Sequence, residues 1–216
     1  MRARRGFAEE SDIMATVTKL TPMQKERNDE LITAAKNGDI DRVKELIMIG
    51  ADVDARNNLG RTALHEAAWY KYIKIAKILI ENGADVDVKD NREWTALHWA
   101  TVKGNVEIAK VLIENGVDVD AKDEDNRTAL HVAARSGSVE IAKMLIEKGV
   151  DAKNKNEKTA QEIAIENKHY QIAELIENSK KTDGRIYNND IDILNMDIDE
   201  LVRRADESAK RLSRKE

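Results

Sequence analysis

TALHEAAWYKYIKIAKILIENGADVDVKDNREW occupies residues 62–94, and close copies follow at once: TALHWATVKGNVEIAKVLIENGVDVDAKDEDNR at 95–127 and TALHVAARSGSVEIAKMLIEKGVDAKNKNEK at 128–158. The first two copies are 33 residues long and the third is 31. A fixed period of this length denotes one supersecondary unit used repeatedly, each too thin to bury an apolar face alone. Degenerate copies flank the three: DELITAAKNGDIDRVKELIMIGADVDARNNLGR from Asp29 and TAQEIAIENKHYQIAELIEN from Thr159. The divisions are 29–61, 62–94, 95–127, 128–158 and 159–179.

Each unit reads as two helices. In the second, apolar residues recur as Ile73, Ala76, Leu79, Ile80; Val106, Ala109, Leu112, Ile113; and Val139, Ala142, Leu145, Ile146, a spacing that puts them on one helical face. Gly83, Gly116 and Gly149 follow, where a left-handed C-terminal turn is expected. Thr62, Thr95 and Thr128 precede Ala-Leu-His, a position suited to capping the first helix. Small pairs such as Ala67 with Ala68 and Ala133 with Ala134 permit close helix approach.

The period, together with the TALHxAA and GADV signatures, resembles the ankyrin repeat family over roughly residues 29–179. That resemblance implies an all-α solenoid of stacked helix-turn-helix units with projecting β-hairpin loops. It also implies a concave face, built from hairpin tips and first helices, that binds another protein. The terminal units fit an array with exposed ends, since polar residues replace apolar ones there. Arg42 and Glu45 stand where the second unit has Ile75 and Ile78, Glu177 replaces Ile80, and Gln161 with Glu162 replaces Leu-His.

Outside the array, residues 1–28 form an N-terminal segment without sustained period, and Thr21-Pro22 could lead into a short helix. Residues 180–216 comprise a polar linker and an amphipathic tail helix from about 197 to 213, with Ile198, Leu201, Val202, Ala205, Ala209 and Leu212 on one face. Four turns are too few for an isolated coiled coil, so this helix needs a host surface. A structural or regulatory role, with the tail docked in cis or on a second copy, is therefore the alternative to partner binding.

Composition narrows the chemistry. There is no Cys, which removes thiolate nucleophiles, disulfides and Cys-ligated zinc, and fits a cytoplasmic chain. The repeats carry 21 basic and 28 acidic residues within a net charge of -5, the wrong sign for a protein that neutralises phosphates. Acidic residues interrupt the cationic N-terminus, and no apolar run reaches membrane-spanning length, so neither a signal peptide nor a membrane partner is expected. His65, His98 and His131 are in register, but layers about 8–10 Å apart hold them too far apart to share one ion. The pairs Asp52 with Asp54, Asp85 with Asp87, and Asp118 with Asp120 depart from a calcium loop. Catalytic, cofactor and metal sites are accordingly not expected, and the chain reads as a monomer.

The expected partner-facing residues are Arg56, Asn58, Leu59, Arg61, Trp69, Tyr70, Arg92, Trp94, Trp99, Lys103, Arg127 and Arg135. Only 8 aromatics occur in the chain, and Trp69, Tyr70, Tyr72, Trp94 and Trp99 gather close together without recurring at the period. Residues that do not repeat with the scaffold point to a partner of this chain's own. The slot after the His holds Glu66, Trp99, Val132 and Ile163, and its tolerance of Glu places it on the surface. The competing reading has Trp94 and Trp99 packing on each other to steady a hairpin that lacks the equivalent of Gly60.

Overall fold

The computed structural model describes residues 22–149, 158–181 and 197–212. These residues form helices joined by tight turns. The chain divides into two compact units, Met1–Asp85 and Val86–Glu216. The first holds α1 (22–37), α2 (Ile40–Met48), α3 (Ala63–Tyr70) and α4 (Ile73–Glu81). The second holds α5 (Ala96–Val102), α6 (Val106–Glu114), α7 (Ala129–Ser136), α8 (Val139–Glu147), α9 (Ala160–Glu166), α10 (Tyr170–Lys181) and α11 (Ile198–Leu212).

Within each repeat the two helices pack on each other, as α3 does on α4 and α5 on α6; between repeats, like packs on like, α5 on α7 and α6 on α8. The buried residues explain why. Leu64, Leu97 and Leu130 from first helices, and Leu79, Leu112 and Leu145 from second helices, are essentially inaccessible. Each stabilises its layer by about 2 kcal/mol through apolar burial. The second-helix face is rotated slightly from the expected one. Ile75, Ile108 and Ile141 are fully buried, whereas Ile73, Val106 and Val139 are only half-buried at the helix starts.

The in-register histidines have a local task. The backbone N–H of Thr62, Thr95 and Thr128 donates to Nδ1 of His65, His98 and His131 at 3.1, 3.3 and 3.2 Å, and each Thr hydroxyl lies within 3.0 Å of the same nitrogen. A nitrogen that accepts from a backbone donor carries no proton, so the ring proton resides on Nε2. Each ring thereby closes the N-terminus of its helix. In the fifth repeat the carboxylate of Glu162 takes over, accepting from the Thr159 backbone N–H at 2.6 Å.

The first helix begins ahead of the repeat array. Helix α1 starts at residue 22, at the Thr21-Pro22 step expected to lead into a helix, and runs on into the first repeat. Asn28 accounts for part of this, because its Oδ1 accepts the Asp52 backbone N–H at 2.9 Å and ties α1 to the turn after α2. Residues 1–21 and the linker 182–196 lie outside the described residues, as does the fourth hairpin, 150–157. The terminal repeats also differ from one another. Arg42 pairs with Glu30 and Glu45, each at 2.7 Å, on a half-exposed face as expected. Gln161, expected on a solvent face, is instead fully buried, and its Nε2 donates to Glu177 at 3.1 Å. Gln161 stands in the slot that Leu64, Leu97 and Leu130 fill, which is buried in those repeats too, and α11 packs on α10 and α9 and buries Leu201 and Ala205.

Candidate protein-binding surface

The turns that project between repeats share one construction. Asn57 Oδ1 accepts the backbone N–H groups of Leu59 and Arg61 at 2.9 and 3.1 Å, and the Asn57 N–H returns to the Arg61 carbonyl at 3.0 Å. Asp90 does the same for Arg92 and Trp94, and Asp123 for Asp125 and Arg127. Such side-chain bonds hold a hairpin-like tip without a strand ladder, and no strand forms among the described residues.

In the first unit this turn lifts Leu59 into solvent, where it is 58% exposed. Arg56 braces the tip by donating from Nε to the Gly60 carbonyl at 3.0 Å. Arg61 sits at the junction with α3. Its Nη1 lies 3.6 Å from Glu66 Oε1, and its guanidinium carbon lies 5.7 Å from the centre of the Trp69 ring. An Arg held between a carboxylate and an aromatic face is pre-oriented, so little entropy remains to be lost when a partner docks. Trp69 is half-buried, and Tyr70, at the end of α3, is 39% exposed and stacks on Tyr72 with ring centroids 6.2 Å apart. Tyr72 is structural: a Cβ added at Gly38 would lie 2.7 Å from the Tyr72 ring, so the glycine leaves space that the ring fills.

The second unit overturns part of the expected site. Trp94 and Trp99 are only 6% and 4% exposed, and their ring centroids are 4.5 Å apart. Each indole N–H reaches a buried carboxylate at 3.0 Å, Trp94 that of Asp123 and Trp99 that of Asp90. Both are interior residues, unavailable to a partner. The slot that contains Trp99 is also interior throughout, since Val132 and Ile163 are buried and Glu66 is only 4% exposed. Glu66 occupies it because the Arg61 guanidinium offsets the solvation that its carboxylate loses there.

Arg127 is likewise engaged within its own hairpin, with Nη2 2.7 Å from Asp123 and 3.0 Å from Asp125. Burial alone would raise the Asp123 carboxyl, but hydrogen bonds from the Arg127 side chain and backbone, and from the Asp125 N–H, hold it below the ordinary carboxylate range. Asn58, Arg92 and Arg135 remain exposed and Lys103 half-exposed. Sequence reasoning passes over Asp90 and Asp123 as the seats of the two indoles. Their register with Asn57, an Asx residue opening each hairpin, is the signal that could have found them.

Comparison with known proteins agrees with this construction. The family model described as ankyrin repeats (3 copies) matches residues 31–123 and 115–187. Two putative ankyrin repeat proteins of Rickettsia felis are each 43% identical over 51 residues, which is 24% of this chain and 81% and 77% of those relatives. With the repeat period, the Thr-His closures and the layered helix pairs in place, the chain belongs to the ankyrin repeat family.

Proposed function

We propose that this protein is a non-catalytic binding module whose first unit presents Leu59, Arg61, Trp69 and Tyr70 to another protein. Repeats of this family generally mediate protein–protein interactions. The observation that carries the finer reading is the exposure of Leu59 and Tyr70 beside an Arg61 already oriented over Trp69. Apolar and aromatic side chains held in solvent around a fixed cation make a hot-spot pattern. Arg56 adds a second cation at the tip, so the favoured ligand is a peptide segment with an acidic residue next to an apolar one. Arg92, Lys103 and Arg135 in the second unit suit the same acidic class of partner. The reading includes a cytoplasmic monomer, on the grounds of cysteine content and charge; no described helix is long and apolar enough to cross a membrane.

Selection of a displayed random peptide library on the full chain tests this. Acidic-apolar sequences are expected, and the substitutions Leu59→Ala and Tyr70→Ala should each weaken them about tenfold while leaving helical circular dichroism unchanged. Selected peptides that bind both variants as tightly as the parent would move the site elsewhere.

A further inference from the structure

The second helices of the first four repeats carry a lysine at one recurrent slot: Lys44, Lys77, Lys110 and Lys143. In the fifth repeat the same slot holds Glu174. The three lysines Lys44, Lys77 and Lys110 are exposed, whereas Glu174 is 7% exposed because α11 lies across it. Its Oε1 accepts from Arg204 Nη1 at 3.1 Å. Arg204 is aimed there by a second bond, from its Nε to Glu200 Oε1 at 2.8 Å, within the same helix. Leu201 and Ala205, three and one residues away from Arg204, are the buried apolar contacts on either side of the pair.

We propose that α11 is a cis latch keyed by charge to the fifth repeat, and that it opens without unfolding the repeats. The key is the inverted slot. Over any other repeat Arg204 would meet a lysine, so only the fifth accepts the helix. Like charges brought together with partial desolvation cost more than an exposed ion pair gains, and specificity follows from that asymmetry. The separability comes from the balance of contacts. Among the described side chains α11 buries only Leu201 and Ala205, whereas α10 buries Ile172, Ala173, Leu175 and Ile176. A 15-residue helix alone in water is marginal, even with the internal Glu200–Arg203 and Arg203–Glu207 pairs. Opening therefore exposes Leu201 and Ala205 and leaves Glu174 beside Glu177, which accepts from Gln161, a polar, acidic seat that water can solvate. This inference does not depend on the reading of the first unit's surface.

Amide hydrogen exchange on the full chain tests it, in wild type, Glu174→Lys, Arg204→Glu and the double variant. Glu174→Lys installs the residue that the other four repeats carry, so the repeats should tolerate it. Each single variant should speed exchange across α11 by about tenfold or more while α9 and α10 keep their protection. The double variant should recover the part of the loss carried by the pair across to α10, while the Arg204–Glu200 bond stays lost, and wild-type α11 should exchange faster as salt is raised. The latch is overturned by unchanged α11 exchange in the single variants, by α9 and α10 losing protection together with α11, or by no recovery in the double variant. Sedimentation showing a concentration-dependent dimer would place α11 on a second copy and overturn the cis assignment.

Discussion

Glu93 occupies a backbone position that suits it poorly. At the hairpin tip it has φ 59°, in the left-handed region, where the preceding repeat has Gly60 at 72° and the following one Asn126 at 59°. Glycine meets no steric penalty there and Asn a reduced one, whereas an ordinary side chain costs about 1 kcal/mol. The exposed Lys89–Glu93 pair at 3.5 Å offsets little of this. Glu93→Gly is therefore expected to stabilise the fold by about 0.5–1 kcal/mol, read as a higher urea midpoint with an unchanged slope. The absence of glycine at position 93 is visible in the sequence. That the backbone keeps the same turn regardless is not, because the turn is imposed by Asp90 Oδ1 bonding the N–H groups of Arg92 and Trp94.

Among the elements, the hairpins show most clearly how far sequence reasoning reaches. Helix positions follow from the repeat period and from apolar spacings, small-residue pairs and Thr caps that act over a few residues. The role of Trp94 does not, since its indole bonds Asp123 across 29 residues of chain and so joins consecutive hairpins. Aromatics that fail to recur with the period can serve a partner, as the surface of the first unit suggests, or can fill a single layer, as Trp94 and Trp99 do. Trp94→Phe keeps much of the apolar contact but leaves Asp123 without one donor; chemical denaturation should show a loss of about 1–3 kcal/mol. Peptides selected on the first unit's surface should bind this variant unchanged. A variant at Trp94 thus reports on the scaffold, and one at Tyr70 on the proposed recognition surface.

At the scale of the whole molecule, stability depends on pH through a histidine that the interior keeps neutral. Burial pushes His98 down to about 4, against the Arg127 carbonyl near its Nε2 and the Asp123 charge, both of which favour the protonated ring. The folded value lies below the unfolded one, so the unfolded chain binds the proton first as pH falls. The contribution of His98 is fully present above about pH 6.5 and is lost progressively down to about pH 4, amounting to about 3 kcal/mol at the lower limit. Urea melts across this window should show that decline, and His98→Asn should flatten it. A decline of equal size in the variant would assign the dependence to other groups.

The repeat period, the two helices per unit, the capping residues and the tail helix were determined by the sequence alone, because each is encoded in spacings of one to four residues or in repetition of the whole unit. The division of aromatics between surface and interior, the burial of Glu66 beside Arg61, and the seating of α11 through Glu174 and Arg204 were decided only by tertiary structure. Those outcomes depend on which side chain supplies a counter-charge or a hydrogen-bond partner once water is excluded. Glu174 and Arg204 are separated by 30 residues, and no local pattern specifies that the fold will bring them together.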